Sequence, residues 1–465
     1  MNAVPHVERL DAQVEDLARW ASRAPSEGEP ARQAIVFLDG NDGSAAGRFS
    51  FLGVRPIETR LVRDEDEQPL ALFDTLESER DREVSERDLL PGLPLASLPR
   101  WIGALGYDLA WACTKELGLR RPRRHPRDER PLAFFHRFEA LVIGDREHSA
   151  VWLVGDDASA VARLRADLDA LERAGAARAE VTPSRTWVEP RGVHARSIEH
   201  ALGLVKDGLV YQINLARRWS SPIGGHRPGR AVADAMRRAS PVPYGALLEL
   251  VDQGRELAIV SRSMERFLRW DRASGLLETR PIKGTIARTP STDDAALAAS
   301  LRADPKEHAE HAMIVDLMRN DLGRVAEVGS VEVHRSFEVE PYAHLHHLVS
   351  TVRARSREGA TLRDVLLATF PPGSVTGTPK LSAIEHIEGL ERHARGFYCG
   401  AIGWIDRSGG LSLSVAIRTA QIVGASLDYF AGGGLVIASD VTREIAETEL
   451  KARVLDEALA ALATR

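Results

Sequence analysis

The chain has 465 residues, 44% of them hydrophobic and 28% charged, with a formal net charge of −6. That composition fits a globular protein with a full core, and the acidic balance gives no electrostatic case for nucleic acid as a partner. Two cysteines, Cys113 and Cys399, exclude a disulfide framework and a thiolate-rich metal site and suit a reducing cytoplasm.

The N-terminus, Met1-Asn2-Ala3-Val4-Pro5-His6, lacks the basic-then-apolar form of a signal peptide. No apolar run is long enough to span a membrane. Ala34-Ile35-Val36-Phe37-Leu38 and Ala140-Leu141-Val142-Ile143 read as strands. They are joined by loops rich in Pro, Arg and acidic residues, among them the solvated cluster Arg120-Arg121-Pro122-Arg123-Arg124. Residues 157–176 read as an Ala/Leu/Arg helix, and Thr182-Pro183-Ser184-Arg185 as a break. That break divides the chain into an N-terminal subdomain, 1–185, and a catalytic part, 186–465. Beyond it, Ser197 to Leu209 reads as a helix, and Gly245 to Leu250 and Leu257 to Val260 as strands. Leu411 to Ala416 alternates as a sheet strand does. Helices and strands mix without a regular βαβ period. The prediction is an α/β (α+β) protein with large antiparallel or mixed sheets and helices outside.

Two Glu-x-x-Glu pairs stand on predicted helices. Asp304-Pro305 offers an N-cap and a first-turn proline ahead of Glu307 and Glu310, which share a face. Ser439-Asp440 precedes Glu444, Glu447 and Lys451 in the same way. Taken singly, either pair is explained by the helix macrodipole or an ordinary i,i+4 ion pair. Taken together, two helices offering hard oxygens suit Mg²⁺, which prefers few carboxylates and keeps several waters. Between them lies Thr279-Arg280-Pro281-Ile282-Lys283-Gly284-Thr285, whose lysine is either a structural partner of a carboxylate or a nucleophile.

From Tyr211-Gln212-Ile213-Asn214-Leu215 onward the chain resembles the chorismate-utilising enzymes. The resemblance runs in order through Met264-Glu265-Arg266-Phe267-Leu268, Pro281-Ile282-Lys283-Gly284-Thr285, Ile314 to Val325, His347-Leu348-Val349-Ser350 and Gly373 to Lys380. It continues through Tyr398 to Gly403, Ala416-Ile417-Arg418-Thr419, Ala431-Gly432-Gly433-Gly434 and Glu444-x-x-Glu447-x-x-x-Lys451. Gly47 to Gly53 and Gly103 to Asp108 match more weakly. The resemblance implies two large, mostly antiparallel sheets in one intertwined sandwich.

It also implies roles. Glu310 and Glu447 match the positions that hold Mg²⁺ on the ring carboxylate of chorismate, with Glu307 and Glu444 as their water-bridging partners. Arg418, Tyr398 and Lys451 match positions at or beside the other carboxylate, and an arginine fork suits such a group. Gly432 and Gly433 offer backbone close to the ligand. Thr285, Gly377 and Thr378 fall in substrate-binding stretches, and His347 matches a position near the reacting ring. Glu265 matches the general acid for the departing C4 hydroxyl, a task that needs a raised pKa. Met264 stands where the family usually has proline, which predicts a looser turn.

Two positions separate the branches. Gln212 replaces the lysine that activates water in the isochorismate and salicylate branch, and glutamine cannot take that proton. Lys283 replaces the alanine of the anthranilate branch and marks the aminodeoxychorismate branch. There the lysine attacks C2, and ammonia then attacks C4 and expels it, toward 4-aminobenzoate and folate. The amine must be neutral to attack, which asks for desolvation or nearby positive charge. The rival readings are an anthranilate synthase component and a non-catalytic chorismate-binding subunit.

Tryptophan-sensing relatives carry Leu-Leu-Glu-Ser where this chain has Val36-Phe37-Leu38-Asp39-Gly40, which weakens the case for feedback inhibition. Gly373 to Lys380 lacks the second glycine and Lys-Ser/Thr ending of a phosphate loop. His308, His311, His344, His346 and His347 fit no zinc spacing. The sequence leaves no room for a glutaminase unit, and neither cysteine sits in a nucleophile elbow. The resemblance therefore implies a separate glutamine amidotransferase subunit (component II), paired with this chain as a heterodimer, that supplies ammonia in the cytoplasm.

Overall fold

The computed structural model describes residues 5–25, 34–81, 87–116, 130–182, 187–288, 294–342 and 345–464. The start of the N-terminal stretch, the Arg120–Arg124 cluster, most of the expected break at 182–185 and His344 lie outside these residues.

Among the described residues the strands form two large sheets, of thirteen and ten strands. The first runs through His6–Leu10, Ala150–Gly155, Ala140–Asp145, Phe49–Val54, Ile35–Asp39, Tyr244–Asp252, Arg255–Ser263, Thr419–Val423, Ser426–Leu435 and Gln212–Gly224. The second runs through Ile282–Ala287, Leu345–Arg355, Leu276–Arg280, Arg266–Asp271, Leu411–Val415, Ala401–Asp406, Pro99–Leu105, Ala133–Arg137 and Glu58–Val62. Neighbouring strands pair antiparallel. Strands from before residue 185 enter both sheets: Val36 is the register partner of Leu248, and Ile102 of Trp404.

Buried Val36, Leu248 and Ile259 of the first sheet join Ile102, Phe134 and Ile402 of the second in one cluster between the sheets. Burying each such side chain contributes about 2 kcal/mol. The outer face of the first sheet packs against the Val14–Ala21, Ala158–Arg173, Pro228–Ala239 and Val441–Ala463 helices. Asp39 is 2% exposed and meets Arg146 at 2.9 Å and Arg237 at 2.8 Å, so the first half is also tied to the second by buried charge. Such a pair, once broken on one side, costs about 3–5 kcal/mol.

The helix expected over Ser197 to Leu209 spans Arg191–Lys206. Its buried face is His194, Ile198, Ala201 and Leu204. The first of these is a histidine, which a search for apolar periodicity passes over. The helix ends early because Gly208 takes φ 73°, the left-handed conformation of a C-terminal cap. The helix starts proposed at Asp304 and Asp440 are as expected. Asp304 Oδ1 accepts from Glu307 N at 3.2 Å, and Asp440 accepts from Arg443 N at 3.0 Å. No helix among the described residues is long and apolar enough to cross a membrane.

Candidate active site

Lys283 stands on the Ile282–Ala287 strand at the edge of the second sheet. Its pairing with Leu345–Arg355 slips by one residue between Ile282 and Thr285, and Gly284 takes φ 86°. This is a bulge, and a bulge re-aims a side chain out of the ladder. Lys283 Nζ lies 3.2 Å from Glu310 Oε2. It also reaches the first sheet: a Cβ built on Gly434 would come within 3.2 Å of Lys283 Nζ and 2.7 Å of Gln212 Nε2. Any residue other than glycine at 434 would therefore fill the gap in which the lysine and the glutamine meet.

The two carboxylate pairs close on this gap from opposite helices. Glu307 and Glu310 stand on Pro305–Gly323, with Glu307 Oε2 against the backbone of Gly284. Glu444 and Glu447 stand on Val441–Ala463, and a Cβ at Gly433 would meet them at 2.9 and 3.9 Å. Lys451 Nζ lies 2.6 Å from Glu447 Oε1 and donates to Gly432 O at 2.8 Å. Burial, then the neighbouring Glu447, holds the Glu444 carboxyl above its ordinary range against the opposing pull of Ser439, Lys283 and Lys451.

Glu265 sits where the chain crosses between sheets, after Arg255–Ser263 and before Arg266–Asp271. It is 5% exposed. Burial pushes its carboxyl up to about 7, against the Ser374 hydroxyl, the Ile282 backbone amide and the charge of Lys283. The looser turn expected from Met264 is countered locally. Glu265 N donates to Ser263 Oγ at 3.2 Å, and Val415 N donates to Glu265 O at 3.0 Å. A hydroxyl makes the turn where a proline ring would otherwise set it.

His347 is buried, with Nδ1 2.9 Å from Thr285 Oγ1 and Tyr342 edge-on at 4.9 Å. Burial, reinforced by Arg418, pushes the imidazole down to about 4, so it is neutral at pH 7. Arg418 is half-buried at φ 51°, and among the described residues its guanidinium makes no hydrogen bond or ion pair. Tyr398 is buried and stacks on Phe430 at 5.5 Å. Gln212 is fully buried, yet among the described residues neither of its side-chain polar atoms has a partner. Gly377 and Thr378 pair with Ile213 and Gln212, and so form the floor beside that glutamine.

The structure thus gathers Lys283, Gln212, Glu307, Glu310, Glu444, Glu447 and Lys451 in one gap, with Glu265 within electrostatic reach of Lys283. His347, Thr285 and Arg418 form an adjoining wall. The other histidines do other work. His308 stacks on Phe337, His311 Nε2 meets Ser350 Oγ at 2.7 Å, and His346 meets Asp294 at 3.0 Å. Sequence reasoning assigned no role to Ser374, Gly434 or Asn214, whose buried Oδ1 has no partner among the described residues. Gly434 was signalled as the third glycine of a run, whereas the contact of Ser374 with Glu265 spans too much sequence to be read from spacing.

Mg²⁺ can be tested against the donor set. All four glutamates offer hard oxygens, and the four carboxyl groups outnumber the two lysines beside them, Lys283 and Lys451. That matches a divalent cation held by few direct ligands. The tightest set of acidic and histidine donors among the described residues is elsewhere, at Asp145, Glu147 and His148. There the Arg48 guanidinium already meets all three. A cavity of about 340 Å³ also lies apart from the carboxylates, lined by Leu38, Asp39, Gly40, Tyr244, Arg266 and Trp404 among others.

The profile of one family, described as chorismate binding enzyme, matches residues 34–457. An aminodeoxychorismate synthase of Streptomyces griseus is 38% identical over 395 residues, which take in 80% of this chain and 52% of that protein. The chain therefore spans about half the length of that relative. Component 1 of aminodeoxychorismate synthase from Bacillus subtilis is 32% identical over 460 residues, 92% of each chain. Among solved structures, anthranilate synthase component I of Streptococcus pneumoniae superposes with a TM-score of 0.70 at 27% identity, covering 89% of this chain and 93% of that one.

Proposed function

The chain belongs to the family of chorismate binding enzymes, and from that premise we propose that it is the chorismate-aminating component of an aminodeoxychorismate synthase. It would convert chorismate and ammonia to 4-amino-4-deoxychorismate, with Mg²⁺ as cofactor and a glutamine amidotransferase subunit as the source of ammonia. The observation that carries this reading is the position of Lys283. Its Nζ is aimed by a bulge into the gap between the sheets, beside buried Gln212 and within electrostatic reach of a glutamate whose carboxyl is pushed up to about 7.

In the proposed reaction Lys283 Nζ forms a bond to C2 of the ring while the C4–oxygen bond breaks and the ring double bonds shift. Glu265 gives its proton to the departing oxygen, which leaves as water, and Lys283 gives up one proton on attachment. Ammonia then bonds to C4 as the C2–nitrogen bond breaks, and the proton shed by the new amine returns to Lys283. The sum is chorismate plus ammonia giving 4-amino-4-deoxychorismate plus water.

A carboxyl near pH 7 is well placed for such a donor, since much of it is still protonated at neutral pH and it is not too weak an acid. Glu310 and Glu447, with Glu307 and Glu444 behind them, would hold Mg²⁺, which supplies positive charge to a substrate carboxylate. Arg418, with no partner among the described residues, is free to take the other carboxylate, and neutral His347 can hydrogen-bond without adding charge. Gln212 has amide groups to offer a small polar nucleophile but no basic nitrogen to activate water.

The test is a product assay with chorismate, Mg²⁺ and ammonium salt, run beside Lys283→Ala. Aminodeoxychorismate that disappears in the variant supports the reading. Fluorescent anthranilate with release of pyruvate would assign the chain to the other branch, that of its structural neighbour from Streptococcus pneumoniae.

A further inference from the structure

The amination scheme leaves a buried ion pair unused. Lys380 Nζ donates to Asp321 Oδ2 at 2.6 Å and to Thr369 O at 2.6 Å. Asp321 is 4% exposed, and the side chain of Lys380 is 10% exposed. Thr369 ends the Leu362–Thr369 helix and Lys380 begins the Lys380–Leu390 helix, so one ammonium group ties together both ends of the turn between them. Asp321 belongs to the Pro305–Gly323 helix, the one that carries Glu307 and Glu310.

Beyond its anchor to Arg395, which donates to Val375 O at 3.0 Å, the turn reaches several groups of the site. The Ser374 hydroxyl lies beside the Glu265 carboxyl and favours its charged form. Thr376 O accepts from Asn214 N at 2.9 Å, and Thr378 O from Tyr211 N at 2.7 Å, on either side of Gln212. A Cβ at Gly373 would strike Leu317 and Met318 at 2.5 Å, so the turn also lies flush on the carboxylate-bearing helix.

We propose that Lys380 and Asp321 are positioning residues for the amination of chorismate: their ion pair closes the turn that holds Ser374 against Glu265 and fixes that turn to the helix bearing Glu310. The inference rests on Glu265 as the proton donor. Buried pairs are weak stabilisers when set against apolar packing. Loss of the pair lets the turn drift, and a misplacement of about 1 Å can cost about a hundredfold in rate.

The experiment compares wild type with Lys380→Met, Asp321→Asn, Ser374→Ala, Lys380→Arg and the Ser374→Ala/Lys380→Met double variant. Each is assayed with chorismate, Mg²⁺ and ammonium salt across pH, beside thermal melts. Lys380→Met and Ser374→Ala should each lower kcat about tenfold or more, while KM for chorismate stays within about threefold. Both should move the alkaline limb of kcat to higher pH, because Glu265 loses a neighbouring hydroxyl that favours its charged form. The other groups facing Glu265, namely the Ile282 amide, Lys283 and the Cys399 thiol, are untouched by these changes. The double variant should be no worse than the poorer single, since both act through one contact. Lys380→Arg should restore the limb. Asp321→Asn carries the same readouts if Lys380→Met fails to fold. Multiplying effects in the double variant, or an unmoved alkaline limb in Lys380→Met and Asp321→Asn, overturns the proposal. If the wild type turns over chorismate to the aminated product, such a result removes the positioning role and leaves the functional reading standing. A wild type inert toward chorismate overturns both.

Discussion

Replacing Glu265 with glutamine keeps the shape of the side chain and removes its charge, and the consequences for stability and for catalysis have opposite signs. An ordinary glutamate titrates at 4.5, and burial has pushed Glu265 to about 7. Below pH 4.5 the carboxyl is protonated in the folded and unfolded chains alike and costs nothing. Between 4.5 and 7 the unfolded chain releases its proton while the folded chain keeps it, so stability falls as pH rises. Above 7 the whole difference is present, and at about 1.4 kcal/mol per pH unit it amounts to about 3 kcal/mol. Glu265→Gln lifts that cost. The variant should melt at about the wild-type temperature at pH 4.5 and roughly 3 °C higher at pH 8.5, for an unfolding entropy of about 1 kcal/mol per kelvin in a chain of this length. The same change removes the proton donor, so kcat for amination should drop about 10²–10⁴-fold. In the wild type, rates corrected for the concentration of free ammonia should fall above about pH 7, as the donor loses its proton. Differential scanning fluorimetry at the two pH values and a steady-state pH series are the assays. An equal melting difference at both pH values, or a wild-type rate that stays flat through pH 8.5, would refute a buried proton-donating carboxyl.

Wild type incubated with chorismate and Mg²⁺ but no ammonia should gain the mass of chorismate less one water on the peptide carrying Lys283. Lys283→Ala should show no adduct and lose about 10⁴-fold or more in turnover, the scale seen when a covalent group is removed; an adduct on another lysine would discard the assignment. Glu310→Gln and Glu447→Gln should each raise the Mg²⁺ concentration for half-saturation about tenfold or more, read by calorimetry without turnover, and unchanged titrations would move the metal elsewhere. Arg418→Lys should weaken chorismate binding by about 1.5–3 kcal/mol, the worth of a charge-assisted hydrogen bond. The melting temperature should change little, because the guanidinium has no partner among the described residues to lose. A large stability change with unaltered binding would make Arg418 structural.

The sequence by itself determined the family-order motifs, the helix starts at Asp304 and Asp440, and the pairing of carboxylates three residues apart. These are local properties: caps, helical spacing and short stretches do not depend on what the rest of the chain does. It also determined the choice of Lys283 and Gln212, because residue chemistry is legible without coordinates. The tertiary structure alone decided that Lys283 would meet Gln212 over Gly434, since the lysine lies on the second sheet and the other two on the first, and they are joined only when the sandwich closes. It decided the elevation of the Glu265 carboxyl, which depends on how completely the crossing between sheets excludes water rather than on any neighbour in sequence. It decided too that Ser374 reaches that carboxyl and that Lys380 ties down the turn beneath it. Antiparallel pairing over long separations brings together side chains whose spacing in the chain carries no signal, and burial sets their charges only after that assembly is complete.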